Sequence, residues 1–273
     1  MASAVACRLF RARFRVVLTE DDSERELMKY NSFSRVFADG VCEVEGVPAR
    51  RAVVTEALGM VDQGSLPVLS VDPRSALETL NPEIIVDARE TRRIDGADKN
   101  RHSLGVGDAS LIIAATPEFE LGESCDMAII VERGYHMARV LTSVFEKLPE
   151  TIGKDEDASI PDPVVPAITN ASGPFGYLKR IGEPVERAEP IGVVRDREIV
   201  APEAGLVRGI LAGGSVVEAG AIVAEIDRRG HEEYVYSISD LGRAVGGSVL
   251  EMAVAWSVDM GALSESDFYQ PGS

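Results

Sequence analysis

The sequence predicts a mixed α/β protein in two parts, a parallel-sheet layer followed by a smaller all-β part. Three observations predict it. Residues 84–89, 111–115 and 127–131 are short apolar runs of the kind that fully buried parallel strands carry, and helical stretches alternate with strand candidates around them. Between residues 176 and 227 one glycine-punctuated pattern occurs twice. Residues 151–166 are rich in Asp, Glu and Pro and poor in aromatics, which reads as a linker. The expected division is 1–150 for the α/β layer, 151–166 for the linker, 167–256 for the β part with a terminal helix, and 257–273 for an acidic tail.

The duplicated pattern is the most specific feature. Gly182, Val185, Ala188, Ile191 and Asp196 recur as Gly213, Val216, Ala219, Ile222 and Asp227, a shift of 31 residues. One such unit cannot bury its apolar face alone, so two must pair. Between them, residues 198–210 read as strands joined by tight turns, with Pro202 and Gly205 as punctuation. This arrangement resembles the hammerhead of biotinyl and lipoyl domains, the barrel-sandwich hybrid. Those carriers place a modified lysine on the hairpin between the half-motifs. Here the tip is Ala201-Pro202-Glu203-Ala204-Gly205, and the lysines stand only at 29, 99, 147, 154 and 179. The expectation is a hammerhead without a swinging arm, carrying neither biotin nor lipoate.

From the amino terminus, residues 1–10 pattern as a helix and 14–18 as a strand ending at Glu20. A helix, then a strand with an acid at its end, reads as the second half of a Rossmann-like βαβ unit, in which that acid bonds ribose hydroxyls. The first strand and its glycine-rich turn are not in the sequence. Residues 31–37 predict a short helix capped by Ser32, and 41–48 a hairpin turning at Gly46. A helix over 52–60, a strand over 68–71 and a helix from Ser75 to Leu80 follow, the last opened by Asp72-Pro73 and stopped by Asn81-Pro82. The strand at 84–89 carries Asp87 and Arg89 at its carboxyl end, where ligands of open α/β sheets bind. Residues 90–106 are a long polar loop, a candidate lid or binding loop. The strand at 127–131 ends in Glu132-Arg133-Gly134-Tyr135-His136. After the repeat, residues 234–238 predict a strand, Ser239-Asp240 a cap, and 249–256 an apolar helix.

Composition excludes several functions. No apolar run of about 20 residues exists, so nothing spans a membrane. Arg8, Arg11, Arg13 and Arg15 interrupt any signal-peptide core, which places the chain in the cytoplasm. The formal charge of −17 repels nucleic-acid backbones and anionic lipid, and no basic cluster offsets it. Cys7, Cys42 and Cys125 are far apart with no C-x-x-C, and His102, His136 and His231 lack metal-ligand spacing, so no metal site is expected.

Further segments carry a family resemblance. They are Asn31-Ser32-Phe33-Ser34, Val44-Glu45-Gly46-Val47, Val86-Asp87-Ala88-Arg89, Arg133-Gly134 through Arg139-Val140, Val200-Ala201-Pro202, and Ile238-Ser239-Asp240 through Val249-Leu250-Glu251. In this order they resemble the YqeB-like accessory proteins of the selenium-dependent molybdenum hydroxylase system, over nearly the whole chain. The resemblance implies maturation or loading of the molybdenum cofactor, with a molybdenum hydroxylase or its maturation proteins as partner. The ligand it implies is a molybdopterin nucleotide or an NAD-like dinucleotide. The chain departs from the pattern at three places. A G-G-G-D-L-A type turn is not found at its start. Ala115-Thr116-Pro117-Glu118-Phe119 stands where members carry a G-P-G-F-like stretch, and the histidine after Arg-Gly falls at Tyr135 with His136 beside it. Pro117 removes an amide donor and Glu118 adds charge repulsion toward a phosphate.

Glu20, Ser32, Asp87, Arg89, Glu132, Arg133 and His136 are the residues expected beside the ligand. Arginine grips a phosphate or carboxamide bidentately, and Asp bonds a ribose or pterin amine. The competing reading is an Asp–Arg ion pair tying the strand end to a neighbouring helix. No nucleophile or base pair is evident, so whether a reaction is catalysed stays open. The function predicted first is the cofactor-maturation accessory protein. The alternative is a noncatalytic binding or assembly module with a degenerate nucleotide pocket. A free-standing dehydrogenase is disfavoured by the missing glycine turn. Unpaired edge strands in the α/β layer favour a homo-oligomer.

Overall fold

A computed structural model describes residues 1–20, 27–89, 104–143 and 162–263. In chain order the elements are α1 (Ala2–Arg11), β1 (Leu18–Thr19), a 3₁₀ turn (Phe33–Arg35), α2 (Val36–Asp39), β2 (Val41–Val44), β3 (Val47–Ala52), α3 (Val54–Asp62), β4 (Leu66–Leu69), α4 (Pro73–Leu80), β5 (Ile84–Asp87), β6 (Leu111–Ala114), β7 (Met127–Ile129) and β8 (Val140–Leu141). Then come β9 (Val164–Ile168), β10 (Gly173–Tyr177), β11 (Pro184–Val185), β12 (Pro190–Val194), β13 (Arg197–Val200), β14 (Gly205–Ile210), β15 (Val216–Val217), β16 (Ile222–Asp227), α5 (Glu233–Tyr236) and α6 (Asp240–Asp259). The fold is mixed α/β, with four four-stranded sheets among the described residues, none closed into a barrel. The chain divides into two units, both discontinuous. The first comprises Met1–Phe14, Asp72–Ile160 and Asp240–Ser273, and the second Arg15–Val71 and Pro161–Ser239. This grouping differs from the sequential division into 1–150 and 167–256.

The first unit holds the sheet β5-β6-β7-β8. β5, β6 and β7 run parallel, and β8 returns antiparallel to β7. Every residue of β6 is buried, as its apolar run predicts. Those of β5 are half-buried, so the run at 84–89 is not the fully enclosed strand its composition suggests. Ile112, Ala114, Cys125, Ala128, Ile130 and Leu141 form the core, with Ile85 and Phe119 against it. Asp72 opens α4 by accepting from the Arg74 amide at 2.8 Å, and Pro73 takes the first helical position, where its missing N–H removes no bond. Asn81 ends the helix in the left-handed conformation (φ 42°).

The same unit contains α1 and α6, which pack on each other. Gly246 makes the approach close: a Cβ there would lie 2.9 Å from Arg8 Cγ and 3.2 Å from the Ala4 carbonyl oxygen. The helix at residues 1–10 therefore belongs with α6, and β1, which follows it in sequence, belongs to the other unit. The two are not consecutive parts of one βαβ crossover. α6 is 20 residues long and begins at Asp240, well ahead of the apolar stretch from which it was predicted.

The second unit contains the sheet β1-β4-β3-β2. β4 is parallel to both its neighbours, and β2–β3 is the predicted hairpin, turning through Glu45 (φ 46°) and Gly46 (φ 81°). Two positive φ values in a two-residue loop match the twist of the strands it joins. The predicted strand at 14–18 shortens to Leu18–Thr19 at the sheet edge. In place of the strand predicted over 234–238, residues 234–236 belong to the one-turn helix α5, and Ser237 after it is extended. Tyr236 stacks there on Tyr30, ring centroids 5.1 Å apart, a contact that sequence alternation cannot register.

The rest of this unit is the duplicated β part, in two sheets ordered β13-β12-β10-β15 and β9-β16-β14-β11. All their pairings are antiparallel. Each half of the repeat sends one short and one long strand to different sheets: β11 and β12 separate, as do β15 and β16. The halves therefore complete each other's sheets. The equivalence reaches further upstream than the sequence pattern, with β9 matching β13 and β10 matching β14.

The structural shift is 32 residues, one more than the sequence alignment gave. Hydrogen bonds establish it. Gly182 N donates to Val207 O at 2.8 Å, and Gly214 N donates to Phe175 O at 2.8 Å. Ala188 N donates to Ala201 O at 2.8 Å, and Gly220 N to Thr169 O at 2.7 Å. Ala201 N donates to Glu189 O at 2.8 Å, and Thr169 N to Ala221 O at 3.0 Å. Burial agrees: Val185 and Val217 are both 4% exposed, and Ile191 and Val223 both 0%, whereas Val216, the match at shift 31, is 60% exposed. A one-residue slip sends a side chain to the opposite sheet face, so only one register keeps both cores. Ala188 (φ 67°) adopts the left-handed turn that Gly220 (φ 94°) provides in the other half, at a cost of roughly 1 kcal/mol. The apolar interior between the sheets is built from Phe175, Val185, Ile191, Val194, Val207, Ile210, Val217, Val223 and Ile226.

Candidate functional site

The carboxyl ends of three parallel strands form the best-defined candidate site, in the first unit. Ala115 N donates to Asp87 O at 2.7 Å, aligning the ends of β5 and β6. β7 lies on the far side of β6, pairing Ala114 with Ala128. The residues leaving this edge are Ala88-Arg89 after β5, Ala115-Thr116-Pro117 after β6, and Ile130 through Arg139 after β7. In an open parallel sheet this is the edge at which ligands bind.

Five of the seven predicted residues leave from this edge. Asp87 and Arg89 bind each other: Arg89 Nε donates to Asp87 Oδ1 at 2.8 Å, and Nη2 to Oδ2 at 2.6 Å. This side-chain bonding, against the opposing effect of burial, raises the Arg89 pKa further and keeps its charge fixed. The ion pair is therefore present, but it closes on its own strand end and not on a helix. Arg133 forms a second fork, with Nη1 to Asp240 Oδ2 and Nη2 to Asp240 Oδ1, both 2.8 Å. It ties the segment after β7 to the first residue of α6. Glu132 is exposed. His136 Nδ1 lies 3.5 Å from Arg139 Nη1, and its ring meets Tyr135 edge-on at 5.2 Å.

Glu20 and Ser32 belong to the second unit. The Glu20 amide donates to Leu69 O at 3.0 Å, closing the end of β1 on β4. Ser32 acts as the predicted cap, its Oγ accepting from the Ser34 amide at 3.3 Å. The polar loop at 90–106 lies outside the described residues except for its last three, and most of the linker at 151–166 also lies outside them.

Sequence reasoning missed Thr116. It is 3% exposed, and its Oγ1 is buried with no hydrogen-bond partner among the described residues. An unmet buried hydroxyl costs about 1–3 kcal/mol, so its presence at a sheet edge points to a group that bonds it. In the sequence it was visible only as the residue before Pro117. Sequence reasoning also passed over a buried ion cluster in the second unit. Asp227 is fully buried, and it accepts from Arg229 N at 3.1 Å, Nε at 2.9 Å and Nη2 at 2.7 Å, with Arg208 Nη1 at 3.6 Å.

The cysteines give no reactive site. Cys7 and Cys125 are buried. Burial pushes the Cys42 thiol up to about 11, against a smaller opposing effect of Arg35, so it stays protonated at neutral pH. Among the described residues, no three His, Cys, Asp or Glu side chains converge as a metal site would require. No helix among them is long and apolar enough to cross a membrane.

No family model matches the sequence. A relative does: the chain is 32% identical over 259 residues to the uncharacterized protein YqeB of Escherichia coli K12, covering 92% of this chain and 45% of that protein. The chain thus spans about half the length of the relative it matches. The similarity to YqeB runs along nearly the whole length of this chain.

Proposed function

We propose that this protein is a cytoplasmic accessory factor for maturing or loading the molybdenum cofactor of a selenium-dependent molybdenum hydroxylase. In this reading it holds a nucleotide-like ligand, a molybdopterin nucleotide or an NAD-like dinucleotide, at the carboxyl edge of β5, β6 and β7. The observation that carries the binding step is the buried hydroxyl of Thr116 at that edge, which has no hydrogen-bond partner among the described residues. The cofactor role rests on the order of the segments that resemble molybdenum hydroxylase accessory proteins. The β5–β8 sheet serves as a Rossmann-like layer. The duplicated β part serves as a barrel-sandwich hybrid that docks on the hydroxylase or its maturation proteins. Its tip, Ala201 through Gly205, offers no lysine for biotin or lipoate.

A second reading has one observation in its favour. Arg89 and Arg133, the two arginines that would grip a phosphate, are each already held by a carboxylate. On that reading the protein is a noncatalytic assembly module with a degenerate pocket.

Thr116→Val separates the two. Valine keeps the shape and removes the hydroxyl. In the accessory reading the ligand-free variant is as stable as the parent or more stable, by about 1 kcal/mol. In cells, the hydroxylase made with it carries several-fold less molybdenum at unchanged protein level. Molybdenum content equal to that of the parent, with the same gain in stability, would favour the assembly module.

A further inference from the structure

We infer that Tyr135 is the platform on which a flat ring of the ligand stacks, and that the ligand is a phosphorylated planar heteroaromatic, a nucleotide or a pterin phosphate. The inference rests on the reading above that the carboxyl edge of β5–β7 binds a ligand. Tyr135 leaves that edge on the segment after β7 and is 90% exposed, the most exposed of the large hydrophobic side chains described. Exposure alone would be unremarked, but the segment that carries the ring is held firmly. Ala138 N donates to Ile130 O at 2.8 Å, and Ala138 O accepts from Ser248 Oγ of α6 at 2.7 Å. Met137 N closes on Gly134 O at 3.1 Å, and Arg139 N on His136 O at 3.0 Å. Ala138 (φ 63°) occupies a backbone region that L side chains avoid, whereas Gly134 (φ 134°) takes its positive φ without strain. The Arg133–Asp240 fork fixes the start of the segment. Strain of this kind persists where the surroundings over-determine it, and it concentrates at ligand clamps.

The phenol is therefore displayed on a rigid turn, with the His136 ring edge-on at 5.2 Å. A preorganised aromatic loses little freedom on binding, so stacking on it contributes most of its contact energy. A purine, pyrimidine or pterin is flat and polar at its rim, which suits a phenol face and a hydroxyl donor such as Thr116, which leaves the same sheet edge after β6. Among the described residues of this edge, the cation left for a phosphate is Arg139. It is exposed and reaches the His136 ring at 3.5 Å, whereas Arg89 and Arg133 are paired with Asp87 and Asp240.

Calorimetric titration of the full chain tests this with guanosine monophosphate, neopterin monophosphate and ribose 5-phosphate. At least one ring-bearing probe should bind, and which one does identifies the ring. Tyr135→Ala should weaken it by about tenfold or more, and Tyr135→Phe by less than about twofold, since stacking needs the ring and not the hydroxyl. Ribose 5-phosphate should bind the parent and Tyr135→Ala alike. If Tyr135→Ala binds as tightly as the parent while Thr116→Val binds more weakly, stacking is overturned and the edge site stands. If neither variant changes the affinity, or no ring-bearing probe binds at millimolar concentration, both readings fall.

Discussion

Asp227→Ala should destabilise the duplicated β part by about 3–5 kcal/mol, the range for removing one partner of a buried ion pair. Asp227 ends β16 with none of its surface exposed. Its carboxylate answers Arg229 through two side-chain bonds and one backbone bond, and Arg208, itself 8% exposed, at 3.6 Å. Alanine would leave the Arg208 guanidinium buried without its counterion. Hydrogen exchange at the amides of β14 and β16 gives the measurement, because a two-unit chain need not unfold in one step. Protection there should fall at least a hundredfold, as about 1.4 kcal/mol corresponds to each factor of ten. The same group sets a pH dependence. Burial acts to raise the Asp227 pKa, but the bonds from Arg229 and the charges of Arg229 and Arg208 outweigh it and hold it below its ordinary 3.8. A depressed carboxylate stabilises the fold above its unfolded pKa and loses that contribution as pH falls through the folded one. The parent should thus lose protection below about pH 4, and the variant should show a smaller change over that range.

Gly205→Ala should destabilise the same part by about 3 kcal/mol, at the upper end for overpacking. The added Cβ would lie 2.3 Å from the Asp227 carbonyl oxygen and 2.8 Å from its carbon. Both are backbone atoms of the adjacent strand and cannot rotate away. The other half of the repeat has a glycine at the same place, there against a side chain that can shift. Gly173 is the equivalent of Gly205, and a Cβ on it would lie 2.9 Å from the Arg195 side chain, Arg195 being the equivalent of Asp227. Gly214→Ala is the control. Nothing lies within 4 Å of its position, so it should cost only about 1 kcal/mol for the φ of +93°. Equal losses at Gly205 and Gly214 would mean that close packing between β14 and β16 is not what requires the glycine.

These glycines also show how much was legible beforehand. Elements with local determinants were read correctly: the Ser32 cap, the Asp72-Pro73 helix start, the hairpin at Gly46 and the apolar runs of β6 and β7. The repeat was legible as a repeat, but its register was off by one. Gly213 and Gly214 stand in tandem, and either could match Gly182. Only Gly214 has positive φ, like Gly182 (93° and 88°), and which residue of a pair takes the turn is set by the ladder across the sheet. With the true shift Gly173 falls on Gly205, and with the assumed one that equivalence vanishes. Long-range partnership was not legible either. Nothing local to Ala2–Arg11 says that it packs on α6, and alternation at 234–238 outvoted a tyrosine stack. At the site, residue types were found but not their commitments. Asp87 and Arg89 satisfy each other, Arg133 is taken by Asp240, and Thr116, a residue of no motif, is the one at this edge, among the described residues, with an unmet hydroxyl.

Everything functional rests on a ligand bound where β5, β6 and β7 end. Native mass spectrometry of the protein isolated gently from its own host tests this most directly. The account predicts a bound pterin or nucleotide mass on the parent that is depleted on Tyr135→Ala. The bare polypeptide mass alone, in protein that retains its hydrogen-exchange protection, would contradict it.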